Sequence, residues 1–163
     1  MTRRTRLAVL AGMASMLLSQ PFAGAEEARV DSFQLQRSLR VLLECQKDLM
    51  AWLGPRTGSS EFEVGNNLLE AISSAYNYIK AVDDLYSIVE MCGCQSVPVS
   101  RYLEAANQGY IKLIENRLEA INMSLGRINS RVAEDAGVRA KTEIRKSLEM
   151  LRSISHKPQW PAG

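Results

Sequence analysis

Residues 90–98, Glu-Met-Cys-Gly-Cys-Gln-Ser-Val-Pro, hold two of the three cysteines in the chain, Cys92 and Cys94, separated only by Gly93. The third, Cys45, lies 47 positions before Cys92. Thiols in this arrangement admit four chemistries. Cys92 and Cys94 could close a strained ring across Gly93, whose freedom of conformation tolerates it, with a more oxidising potential than a structural disulfide. They could bond to another chain. They could remain thiols, which an oxidising compartment disfavours. With Met91 they could also offer soft ligands to copper(I), or half the ligands of a zinc site.

Other catalytic arrangements find little material. His156 is the single histidine, so neither a Ser-His-Asp nor a Cys-His constellation has its base. No Cys-x-x-Cys-His run offers covalent haem attachment, and no Glu-x-x-His pair offers a di-iron site. Asp83 and Asp84 are adjacent and on a helix point about 100° apart, which reads as a polar face. No Gly-rich phosphate loop is present. The sequence therefore nominates no catalytic residue, no metal site and no cofactor; the expectation is a protein that is not an enzyme, unless Cys92 and Cys94 act as a thiol-disulfide pair.

The N-terminus speaks to compartment. Arg3, Arg4 and Arg6 precede a run of apolar or small residues from Leu7 to Leu18, followed by Pro21 and the Ala23-Gly24-Ala25 exit. These are the three parts of a secretory signal peptide. Twelve helical residues reach only about 18 Å, short of a bilayer core of about 30 Å. The expectation is cleavage after Ala25, export to a periplasm or to the outside, and no stable membrane insertion afterwards.

Losing residues 1–25 removes three arginines and leaves 17 basic against 18 acidic residues, a formal charge of −1 where the whole chain has +2. The signs alternate without blocks. That argues against nucleic acid or an anionic membrane surface as partner. The remainder is one domain in length and long enough to bury a core.

The elements that must hold these residues read as helix throughout. Leu35, Leu39, Leu42, Gln46, Leu49 and Leu53 step by four and three, with Cys45 and Trp52 beside the stripe. Leu68, Ile72, Ala75, Ile79, Val82, Tyr86 and Val89 repeat the pattern. So do Ile111, Ile114, Leu118, Ile121, Leu125, Ile128 and Val132; Ile144, Leu148 and Leu151 give a weaker fourth stripe. Such spacing keeps apolar groups on one side of a helix, the seam of a bundle.

Punctuation follows the stripes. Asp31 or Ser32 is expected to cap the first helix near residue 33, and Gly54-Pro55 to stop it. Ser60, with Glu63 three residues on, offers a capping box for the second. Gly93 ends that helix and Pro98 suits the first turn of the third. Residues 134–137, Glu-Asp-Ala-Gly, suggest the break before the fourth. The fold expected is an all-α antiparallel bundle of four helices, three long and one shorter, in up-down order over residues 26–155. An irregular Pro-rich tail, residues 156–163, would follow.

That layout puts Cys45 about 34 Å from Cys92 along the bundle, using 1.5 Å per residue. A disulfide needs Cα atoms about 4.4–6.8 Å apart. Only a long crossover at residues 54–67, with the first two helices parallel, would let Cys45 reach Cys92 or Cys94. Otherwise Cys45 is a small buried apolar residue.

The same register leaves the second and third helices projecting beyond the others by about nine residues, roughly 14 Å. Tyr86, Val89, Tyr102, Leu103 and Ala106 continue an apolar stripe along this arm, with the cysteines at its tip. Uncovered apolar surface marks an interface unless the tail folds back and covers it with Trp160. The reading is an exported helical-bundle protein acting by protein–protein contact or self-association, as adaptor, inhibitor or assembly subunit. The alternatives are a thiol-disulfide protein and a carrier of an apolar ligand or metal between the helices.

Overall fold

The computed structural model describes residues 23–93 and 96–156; Cys94, the tail with Trp160 and the expected signal segment up to residue 22 lie outside them. The chain divides into two compact units, Met1–Asp31 and Ser32–Gly163. Four helices and a short 3-10 turn account for the described residues, and no strand occurs among them. They are α1 (Ala23–Leu53), α2 (Ser60–Cys92), α3 (Val97–Leu125) and α4 (Arg131–His156), with Gly54–Arg56 forming the 3-10 turn. Among the described residues no helix is long and apolar enough to cross a membrane.

The helix ends follow local chemistry. Ser59, in extended conformation, accepts a hydrogen bond from the Phe62 N–H, and Glu61 and Glu63 place negative charge in the first turn of α2. The cap is thus Ser59 and not Ser60. Gly93 closes α2 at φ 59°, a left-handed conformation open to glycine, and its N–H donates to the Glu90 carbonyl. Pro98 sits in the first turn of α3, where its missing N–H costs nothing.

Three boundaries differ from the sequence expectation. α1 begins at Ala23, ten residues before the expected start, because Glu26, Glu27, Ala28 and Arg29 are good helix formers and nothing breaks them. Asp31 and Ser32 are therefore inside the helix. α3 stops at Leu125, although Ile128 and Val132 keep the heptad going. Gly126 donates to Asn122 O, and the N–H groups of Arg127 and Ile128 both turn to Ser124 O, tightening the chain out of the helix. Val132 is left 57 % exposed. Residues 134–137, in turn, lie within α4.

Helix α4 has a wider buried face than its three leucine-class residues announce. Ala133, Ala136, Ala140, Ile144, Ser147, Leu148 and Leu151 all lie in the interior. Small residues bring the α4 backbone close to its neighbours. At Gly137 a Cβ would meet Leu125 Cδ2 at 2.6 Å and Leu68 Cδ2 at 3.2 Å. The glycine that looks like a helix break is a point of close packing between helices.

The core of the second unit is built by Leu35, Leu39, Leu42, Cys45 and Leu49 on α1, Leu68, Ile72, Ile79 and Val82 on α2, and Ile111, Ile114 and Ile121 on α3, with the α4 face. Cys45 takes a core position and its neighbour Gln46 is half-buried, reversing their expected order. Polar groups set the register between helices. Asn107, 1 % exposed, donates from Nδ2 to the Leu151 carbonyl at 2.9 Å. Ser38 donates to Glu143 at 3.0 Å, and Arg139 bridges Asp48 at 3.1 Å and Glu44 at 3.3 Å, joining α1 to α4.

Candidate functional site

Cys45 and Cys92 sit in different surroundings. Cys45 is a free thiol with no solvent exposure. Burial pushes its pKa up from 9.0, against the pull of the Arg139 cation, so it is held as an uncharged apolar group. Cys92 is exposed in the last turn of α2, where the helix presents it at the end of the hairpin beside Met91. Among the described residues no group of three or more His, Cys, Asp or Glu side chains is arranged to hold a metal.

The other polar candidates have structural employment. Asp84 pairs with Lys80 one turn earlier on α2, and Asp83 is half-buried beside it. His156 is the last residue of α4. An open depression between α3 and α4 is lined by Glu115, Glu119, Arg145, Glu149 and Arg152, over Leu118 and Leu148. Both signs of charge face it and the Arg152–Glu115 pair crosses it, so it is a solvated salt-bridged seam.

The remaining candidate is the hairpin of α2 and α3, closed by only four residues, 93–96. Its seam carries Tyr78 against Tyr110, ring centroids 6.2 Å apart and tilted by 44°. Towards the tip, Tyr86 is half-buried, and its phenol is pushed up to about 12 by burial first and by the Glu104 carboxylate second. Val89 and Ala106 are half-buried, and Leu103 turns inward at 3 % exposure. Tyr102 points out, 66 % exposed.

Of the residues picked from the sequence, the arm thus brings together a packed set (Tyr86, Val89, Leu103) and an outward one led by Tyr102. Two outward residues were missed. Ile88 is 53 % exposed and Met91 78 %; both lie about 150° around α2 from the stripe, on its outer side, and their helical angle was the signal that could have found them. Several large apolar groups in water at one end of a hairpin are an unusual expense for a domain of this size.

Comparison with protein families, with curated proteins and with solved structures found no match for this chain.

Proposed function

We propose that this chain is exported with loss of residues 1–25 and works through protein–protein contacts, as an adaptor, inhibitor or assembly subunit. The α2–α3 hairpin makes those contacts. In this reading the four helices alternate up and down, as the pairs Tyr78–Tyr110 and Asn107–Leu151 invite. The observation that carries it is the group of Ile88, Met91 and Tyr102, each more than half exposed, at the end of a hairpin that offers no catalytic set. Such surface favours burial against a partner by about 25 cal/mol per Å².

The test is affinity capture and cross-linking of the chain from its own compartment, beside the double variant Ile88→Asp, Tyr102→Ala. The double variant should retain the helical circular dichroism and lose its partner or its oligomer. Identical capture and identical hydrodynamic size in both proteins would reject the reading.

A thiol-disulfide role for Cys92 and Cys94 is the second reading, and the exposure of Cys92 favours it. The reduction potential decides: a pair that resists reduction below about −300 mV is structural, and a more oxidising one is redox-active.

A further inference from the structure

Helices α1 and α2 meet where Gly65 lies against Trp52 and Leu53. The outer face they share carries residues that the core does not use. Arg40, Leu43, Lys47 and Met50 fall within about 40° of one direction around α1 at 3.6 residues per turn. That direction is turned away from Ser38 and Asp48, which reach α4 through Glu143 and Arg139. All four are exposed, Leu43 by 39 % and Met50 by 52 %. On α2, Phe62, Leu69 and Tyr76 share a direction on the far side of the buried line from Tyr78, which pairs with Tyr110 of α3. All three are half-buried against the core. In the up-down order proposed above, counting from the Leu53–Gly65 contact sets Met50 level with Leu69 and Leu43 level with Tyr76. The result is an apolar strip along α1 and α2 with two cations on its α1 edge.

Neither Arg40 nor Lys47 makes an ion pair among the described residues. The carboxylates beside them on α1, Glu44 and Asp48, are both held by Arg139. Across the strip Lys80 is a third cation, already answered by Asp84. Asp83, half-buried, stands about 7 Å beyond the level of Arg40, and Glu70 points about 100° away from Leu69 around α2. The strip is therefore edged by two cations that the chain leaves unanswered.

Their spacing narrows what could answer them. Each cation is followed three residues later by an apolar group, and the pair repeats after seven residues, about 10.5 Å. Seven residues is the repeat of one helix packed lengthwise on another, with flanking charges that choose the partner. A second copy docked through the same face would bring Arg40 and Lys47 against another basic edge, so like charges disfavour it.

We propose that the α1–α2 face docks a helix of another protein, apolar on one side and bordered by carboxylates. The visiting helix covers Leu43, Met50, Leu69 and Tyr76, and its carboxylates pair with Arg40 and Lys47 in consecutive heptads. This contact goes beyond that of the α2–α3 hairpin and does not depend on it. With both, the chain has two separate surfaces of different chemistry, as an adaptor requires.

The test titrates the full chain, purified as the cell processes it, with two synthetic helices of about 20 residues. Both have leucine at a and d; one has glutamate at e and g, the other lysine, so that neither pairs with itself. Binding is read by fluorescence anisotropy at about 50 mM salt, where surface charges are little screened. The glutamate helix should bind at least about tenfold more tightly than the lysine helix. Arg40→Glu with Lys47→Glu should reverse that order, which a loss of folding cannot do. Leu43→Ser with Met50→Ser, helical content retained, should lose both. Binding of neither helix, equal binding of both, or an order unmoved by the charge reversal overturns the proposal. So does a wild-type dimer that Leu43→Ser with Met50→Ser dissociates, since a second copy then holds the face. The Ile88→Asp, Tyr102→Ala variant should bind the glutamate helix as the wild type does. Loss there would put the helix on the hairpin, overturning this contact and leaving the hairpin reading standing.

Discussion

Gly65 of α2 lies directly against the Trp52 indole of α1: a Cβ at residue 65 would press on the ring carbon Cζ3 and reach Leu53 Cδ2 at 2.8 Å. Trp52 is 7 % exposed and has the Arg56 guanidinium 4.6 Å over its ring, so it has no room to turn aside. The turn between α1 and α2 is thereby built on the absence of one side chain.

Gly65→Ala should accordingly destabilise the protein, although alanine is the better helix former by about 1 kcal/mol. Overpacking costs about 1–3 kcal/mol, and the close approach to a ring and to Leu53 places this site in the upper part of that range, so the expected net loss is up to about 2 kcal/mol in urea unfolding. Combined with Trp52→Phe, which frees the space, the alanine should cost less than it does alone. Additive losses would show that the contact is not the cause.

Glu143 gives the protein an acid-sensitive joint. Its partial burial raises the carboxyl pKa, but hydrogen bonds from Lys146 and Ser38 and the nearby Arg37 charge outweigh that and hold it below the ordinary 4.5. A folded value below the unfolded one means stability that is complete above pH 4.5 and lost as pH falls through the folded value. Glu143→Gln should flatten this part of the acid limb of stability against pH. An acid limb unchanged by the substitution would remove Glu143 from the account.

Tyr86 gives the complementary alkaline signature. Its pKa, raised from 10.0 to about 12, means that the neutral phenol is favoured in the folded arm. The associated stability is fully present below pH 10 and declines as pH rises towards and through 12. Phenolate absorbance should show a late ionisation step near pH 12 that disappears in Tyr86→Phe. Its persistence would mean that another residue is responsible.

Cys45 should be invisible to thiol reagents until the bundle opens. Peptide mapping after alkylation under native conditions should find residue 45 unmodified, and after denaturation fully modified. Cys45→Ser, which buries a hydroxyl in place of the thiol, should cost about 1–3 kcal/mol. Rapid native labelling would contradict the burial.

Much of the core was legible because it needs few residue types in a fixed rhythm. Leu42, Leu68, Ile79, Ile114 and Ile144 are all interior, as their spacing requires. Gly93 and Pro98 were legible for a different reason: each has a backbone property no other residue shares. The end of α3 was not, because Ile128 and Val132 keep the apolar rhythm after the hydrogen bonding has ceased. Gly137 was misread since the same residue that ends one helix lets two others touch.

The hydrogen bond from Asn107 to the Leu151 carbonyl also counts residues. It ties a point inside α3 to one near the end of α4, with the connection 126–130 between them. A residue inserted in or deleted from that connection would rotate the entering helix by about 100° or force it to slide. Either change takes the carbonyl away from an amide that is only 1 % exposed. Surface loops ordinarily tolerate changes of length; this one is measured from the interior, and relatives of the chain should keep it at constant length.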